Sequence, residues 1–260
     1  DVNEKSEEEL AYVLTATIKG GDKTATKTFN LTVPMYELTS FEEYIDMTEG
    51  DVVIQGIVVG INSKAAGNKY NHLFLADLDG KGGYYSYQMD ADPVADLGIE
   101  VGMVVEVSGP VSPYSGMQEI KGGVARIVDS NKHDFDIVDI TDIITSGGSL
   151  KSYVGLIVTI KGVEITGQEL GGTSEYLKFK LNDTEAYVRT YVTDFPTSLK
   201  ADDKATIDAA HAEHFGWKAN VTGLLVLYNN DPYLIPMGVD CFEYLDMIEK
   251  TPEEKAEQKK

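Results

Sequence analysis

Val52-Val53-Ile54-Gln55-Gly56-Ile57-Val58-Val59-Gly60-Ile61 is a β-branched run with a glycine at its middle. A second such run follows at Val158-Thr159-Ile160-Lys161-Gly162-Val163-Glu164-Ile165-Thr166-Gly167. β-Branched residues favour a pleated backbone, and a glycine inside a strand marks a sharp bend or a close backbone approach. The first strand of a small barrel needs such a bend. Two copies of the pattern in 260 residues predict a duplicated β-barrel, with length enough for each copy to bury its own core.

Outward from the first run, alternation and turn residues predict five strands. These are Asp51–Ile61, His72–Asp77, Tyr84–Met89, Val101–Gly109 and Met117–Ile120. The later half repeats their order. Gly56 matches Gly162 at an offset of 106, and Leu75-Ala76-Asp77 matches Lys180-Leu181-Asn182 at 105. Val107-Ser108-Gly109 matches Val221-Thr222-Gly223 at 114. The extra residues fall between the third and fourth strands, where Ala201–Phe215 predicts a helix. One insertion at one loop, with the rest in register, is what a duplicated domain gives. Before the first barrel, Thr39 with Glu42 and Ser40 with Glu43 each fit a capping box, and Phe41, Tyr44 and Ile45 share one helical face. This predicts a short helix closing one end of the barrel.

A five-stranded barrel with a helix between strands three and four is the OB fold. Val53-Ile54-Gln55-Gly56-Ile57-Val58, Leu73-Phe74-Leu75-Ala76-Asp77 and Val101-Gly102-Met103-Val104-Val105-Glu106-Val107-Ser108-Gly109 resemble OB-like domains of secreted bacterial proteins. At the N-terminus, Leu10–Ile18 and Ala25–Val33 alternate around Gly20-Gly21-Asp22 as a hairpin. The hairpin resembles the last two strands of a bacterial immunoglobulin-like repeat, which often end as Thr26-Lys27-Thr28-Phe29-Asn30-Leu31-Thr32-Val33 does. The expected organisation is all-β: an immunoglobulin-like hairpin at 1–35, OB-like barrels at 36–130 and 131–247, and a polar tail or linker at 248–260. The resemblance implies an extracellular or cell-surface setting.

The net charge of −21 is shared between the barrels, with 15 acids against 5 bases in 36–130 and 18 against 9 in 131–247. Nucleic-acid binders gain much of their affinity from Lys and Arg on phosphates. On that ground nucleic acid is a poor partner, and glycans or neighbouring domains of the same polypeptide are the expected ones. No apolar run is long enough to span a membrane. The lone Cys241 precludes an internal disulfide and reads as a core residue.

No catalytic motif stands out. Asp77-Leu78-Asp79-Gly80-Lys81-Gly82 matches the opening of a calcium loop, but Gln88 stands where the bidentate glutamate belongs, so a turn is expected. His211 and His214 are spaced as a zinc pair on a helix, without further ligands nearby in sequence, and are expected at the surface. No enzyme activity, metal or cofactor is expected. What remains is tyrosine. Tyr85 and Tyr87 share one strand face and Tyr84 the other. Tyr187 and Tyr191 are their counterparts in the repeat, with Tyr114, Tyr228 and Tyr233 in flanking loops. Such tyrosines could stack on sugars or bases. The expectation is a non-catalytic scaffold or binding module, carbohydrate-binding through these tyrosines. The alternative is a single-stranded nucleic-acid-binding accessory of an extracellular nuclease.

Overall fold

The computed structural model describes residues 10–33, 37–171, 175–182, 184–189 and 201–248. The chain divides into two units, Asp1–Leu38 and Thr39–Lys260. In the first, β1 (Leu10–Gly20) and β2 (Lys23–Val33) pair antiparallel from Leu10↔Val33 to Gly20↔Lys23. Among the described residues no third strand joins them. The structure therefore shows a hairpin, and its immunoglobulin-like assignment rests on the sequence resemblance alone. The expected tail lies almost wholly outside the described residues.

The second unit is mostly β. Its first half runs α1 (Phe41–Asp46), β3 (Asp51–Asn62), β4 (His72–Asp77), β5 (Gly83–Tyr87), β6 (Val104–Pro110), β7 (Ile120–Lys121) and β8 (Val124–Asp129). Its second half runs β9 (Val138–Asp139), α2 (Thr141–Thr145), β10 (Ile157–Glu169), β11 (Tyr176–Leu181), β12 (Thr184–Arg189), α3 (Ala201–Glu213), β13 (Trp217–Tyr228), β14 (Asp231–Ile235) and β15 (Phe242–Met247).

Strands β10, β11, β12, β14 and β13 follow one another in a sheet, and β13 pairs back onto β10, closing an OB-like five-stranded barrel. The first half arranges β7-β5-β4-β3-β6-β8 in one sheet. Its order corresponds, with β5–β7 parallel as β12–β14 are. The bridge Val111↔Ile120 lies at its seam. The fifth strand starts later than sequence alone predicts, at Ile120, because Tyr114↔Met117 closes a tight turn instead. Strand β8, absent from the sequence reading, lies along the outer edge of β6.

The two repeated glycines serve the bend by different means. Gly56 is flanked on both sides, by Asp77 and Val105, and a Cβ there would lie 2.7 Å from the Ala76 carbonyl oxygen. Gly162 sits at φ 66° inside the register break between Ile160 and Val163 of the β10–β13 ladder. It is a bulge that a side chain would strain. Gly162→Ala is expected to lower unfolding free energy by about 1–2 kcal/mol in a urea titration. A change within a few tenths would show that the bulge relaxes.

Helix α1 closes the first half as a plug. Ser40 caps it, its hydroxyl accepting from Glu43 N–H at 3.3 Å while Glu43 accepts from Ser40 N–H at 3.0 Å. Thr39, the other capping candidate, instead accepts from Val53 N–H at 3.2 Å. Phe41 and Tyr44 then meet Tyr84 edge-on, with ring centroids 5.5 and 5.0 Å away. The Tyr44 hydroxyl donates to the Gln118 carbonyl at 2.9 Å, and Gln118 Nε2 donates to the Tyr44 and Met47 carbonyls. This fixes the segment before β7.

The two halves share part of their apolar core. Val59, Phe74, Tyr85 and Met117 of the first half join one buried cluster with Leu224, Val226 and Leu227 of β13. Leu224 comes so close to β3 that a Cβ on Gly60 would lie 2.5 Å from its Cδ1.

Candidate ligand cleft

The face of β5 opposite Tyr84 carries Tyr85 and Tyr87, as alternation requires. It looks across to the second half, and the space between is a cleft of about 360 Å³. The first half lines it with Asn62, Lys69, Tyr70, His72, Tyr85, Tyr87, Tyr114, Met117 and Glu119. The second half contributes Tyr176, Arg189, Val226, Leu227, Tyr228, Tyr233 and Ile235. Strand pairing sets the two walls in correspondence. Tyr85 pairs with Phe74 as Tyr187 pairs with Lys178, and Ile120 pairs with Ser86 as Leu234 pairs with Val188, so Leu75 answers to Phe179, one position before the Lys180 that the sequence offset of 105 predicts. Glu119 therefore answers to Tyr233. Tyr114 and Tyr228 each precede a two-residue turn with positive φ, Ser115-Gly116 and Asn229-Asn230. Those turns touch: Asn230 N–H donates to the Ser115 carbonyl at 3.1 Å.

Aromatic rings are already arrayed for stacking. Tyr187 lies on Tyr233 with centroids 4.7 Å apart, and Tyr176 meets Tyr233 edge-on at 5.4 Å. On the other wall His72 lies nearly parallel to Tyr87 at 4.9 Å. Lys69 Nζ sits 5.0 Å from the centroid of the Tyr70 ring, a cation–π distance.

Burial sets the charge of the cleft. His72 is buried and its pKa is pushed down to about 3, first by desolvation and then by the Arg189 and Lys64 charges. It is neutral, and its Nδ1 accepts from Gln88 N–H at 3.2 Å. Burial drives Glu119 up to about 7, opposed by the Lys121 charge. Tyr233 is raised to about 12, chiefly by burial, and keeps its proton. The basic side chains lining the cleft are Lys69 and Arg189, against the single carboxyl of Glu119. The cleft is locally cationic within a chain of net charge −21.

Of the tyrosines singled out in the sequence, Tyr85, Tyr87, Tyr114, Tyr228 and Tyr233 line this one cleft. Tyr187 stands behind it, stacked on Tyr233, with its hydroxyl donating to Glu185 at 3.0 Å. Tyr191 lies outside the described residues. Sequence reasoning missed Lys69, Tyr70, His72, Glu119, Tyr176 and Arg189. Alternation from Phe74 would have put His72 on the Tyr85 side; the others carried no local signal.

The remaining candidates are structural. His211, expected at the surface, is buried because α3 turns it against Phe242, 4.8 Å between centroids, and its Nε2 lies 2.9 Å from the Gly167 carbonyl. His214 stacks on Tyr244. Asp77 accepts from Asp79 and Lys81 N–H groups and from the Tyr84 hydroxyl, as a turn-forming Asp does. Cys241 is buried, and burial pushes its thiol up to about 12. Among the described residues no group of three or more His, Cys, Asp or Glu is placed to hold a metal, and no helix is long and apolar enough to cross a membrane.

No protein-family model and no curated protein matches the chain. Solved structures of similar strand arrangement include a murine DNA-binding protein bound to double-stranded DNA, at 11% identity and TM-score 0.32, covering 79% of this chain and 99% of that one. The Ifi202 HINa domain in complex with double-stranded DNA matches at 12% and 0.30, covering 76% and 100%. A deletion mutant of the single-stranded DNA-binding protein from Thermus aquaticus matches at 11% and 0.24, covering 78% and 97%. The expectation that net acidity sets nucleic acid aside is corrected on the lining of the cleft, where Lys69 and Arg189 stand against the single carboxyl of Glu119. The physical fault lay in using a whole-chain charge where the charge lining the cleft has the opposite sign. These likenesses concern strand arrangement, and what this chain binds rests on its own cleft.

Proposed function

We propose that the chain is a non-catalytic binding module built from two OB-like barrels, whose facing surfaces hold exposed bases of single-stranded nucleic acid in the cleft between them. The observation that carries this reading is the meeting of seven tyrosines with Lys69 and Arg189 around one cavity. Aromatic faces stack on bases of any sequence, and cations neutralise the adjoining phosphates. A setting in a secreted or surface protein belongs to the same proposal and draws on the sequence resemblance.

The test is fluorescence anisotropy with a labelled oligothymidylate over a salt series. Two cations on a single strand give an expected slope of log affinity against log salt of about −1.4. Absence of binding at low salt would sink the reading. Retention on oligosaccharides without oligonucleotide binding would put a sugar in the cleft instead.

A further inference from the structure

The two halves correspond strand for strand, but their charges do not. The β3–β4 loop, residues 63–71, carries Lys64 and Lys69, whereas its counterpart between β10 and β11, residues 170–175, has no base and ends in Glu175. Lys121 of β7 answers to Ile235 of β14, since Ile120 answers to Leu234. In the second half Lys161, Lys178, Lys180 and Lys204 each have a carboxylate oxygen within 3.3 Å. Lys64, Lys69 and Lys121 are exposed and form no ion pair among the described residues. These three border one group of rings. Lys69 Nζ lies over Tyr70, the Lys64 charge acts on His72, and Lys121 is the ladder partner of Tyr87. Tyr70, His72 and Tyr87 are in mutual contact, with centroids 4.9–6.0 Å apart. Two residues on from Glu119, Lys121 is turned by alternation to the same face of the strand.

We infer that the first half holds the sugar–phosphate backbone of the bound strand along Lys64, Lys69 and Lys121, and that the bases turn away from this track toward the rings of the second half. This deepens the single-strand reading of the cleft and rests on it. A splayed single strand presents anionic phosphates along one edge and flat bases along the other, so a site that sorts cations from rings takes it in one orientation. The second wall offers Tyr176, Tyr228 and Tyr233, and Arg189 is the one basic residue lining it among the described residues. Lysines outside any ion pair suit phosphates, because the contact releases counterions from the strand without first breaking a bond to a carboxylate. Lys121 also offsets the one carboxyl on the cleft lining, Glu119.

The experiment measures the anisotropy of a labelled oligothymidylate over a salt series with the full chain, with Lys64→Ala/Lys121→Ala, and with Lys161→Ala/Lys180→Ala, a control of equal charge whose lysines are held in ion pairs. All four lysines stand at the surface, so each variant is expected to fold. Lys69 and Arg189 in the cleft account for a slope of log affinity against log salt of about −1.4, and Lys64 and Lys121 bring it to about −2.8. Lys64→Ala/Lys121→Ala is expected to return the slope to about −1.4 and to weaken binding about tenfold or more in low salt. The control is expected to keep the parent slope, and so is Tyr233→Ala, at lower affinity. A parent slope near −1.4 that Lys64→Ala/Lys121→Ala leaves unchanged overturns the track while leaving the cleft reading intact. An equal loss of slope in both double variants also overturns it, since the contacts would then be spread over the surface. Absence of binding by the parent chain in low salt overturns the cleft reading, and this inference with it.

Discussion

Phe74→Ala is expected to lower the free energy of unfolding by about 3–5 kcal/mol, measured by urea or thermal unfolding. Phe74 is fully buried, and it belongs to the cluster that joins the two halves rather than to the interior of the first. Its ring lies on Tyr85 with centroids 4.8 Å apart and planes at 15°. Truncation removes the apolar transfer energy of the ring and leaves a cavity bounded by β4, β5 and β13, none of which can collapse without breaking its own ladder. Because that cluster is shared, both halves are expected to melt in one transition in the parent chain, and separate transitions are expected to emerge in the variant. A loss below about 1 kcal/mol would mean that the halves are held together elsewhere.

Tyr233→Ala is expected to weaken oligothymidylate binding by about 1–3 kcal/mol, roughly 5- to 150-fold, as alanine replacement of a base-stacking ring does. Tyr233 is central to the second wall, stacked on Tyr187 and edge-on to Tyr176 and Tyr228. Tyr233→Phe keeps the ring, and its affinity is expected to stay within about threefold of the parent chain, since a neutral hydrogen bond contributes little net. If alanine binds as well as tyrosine, the ligand does not stack on this wall. If phenylalanine fails as badly as alanine, the hydroxyl and not the ring makes the contact.

Much of the scaffold was readable in the residues because its causes are local. Alternation separated Tyr84, which packs under α1, from Tyr85 and Tyr87, which face the cleft. The Ser40–Glu43 capping box fixed where α1 begins. The Ala-rich segment after β12 fell where α3 forms. The failures share a different cause. Strand β8 exists because an edge of β6 is open to it, and His211 is buried because Phe242 arrives from thirty-one positions later in the chain. Neither fact has a local signature. The cleft is the extreme case. Lys69, Glu119, Tyr176 and Arg189 come from four separate segments, and they share a cavity because Phe74, Tyr85 and Leu224 bring the two halves into contact. Charge misled for the same reason, since a sum over the chain does not say which side chains fold inward.

The bond between the Ser115 and Asn230 backbones has a mechanical consequence. It ties together the two turns that follow Tyr114 and Tyr228, one from each half. The mouth of the cleft is thus a slot of fixed gauge, set before any ligand arrives. Neither loop has to be frozen on binding, which removes one entropic cost of association.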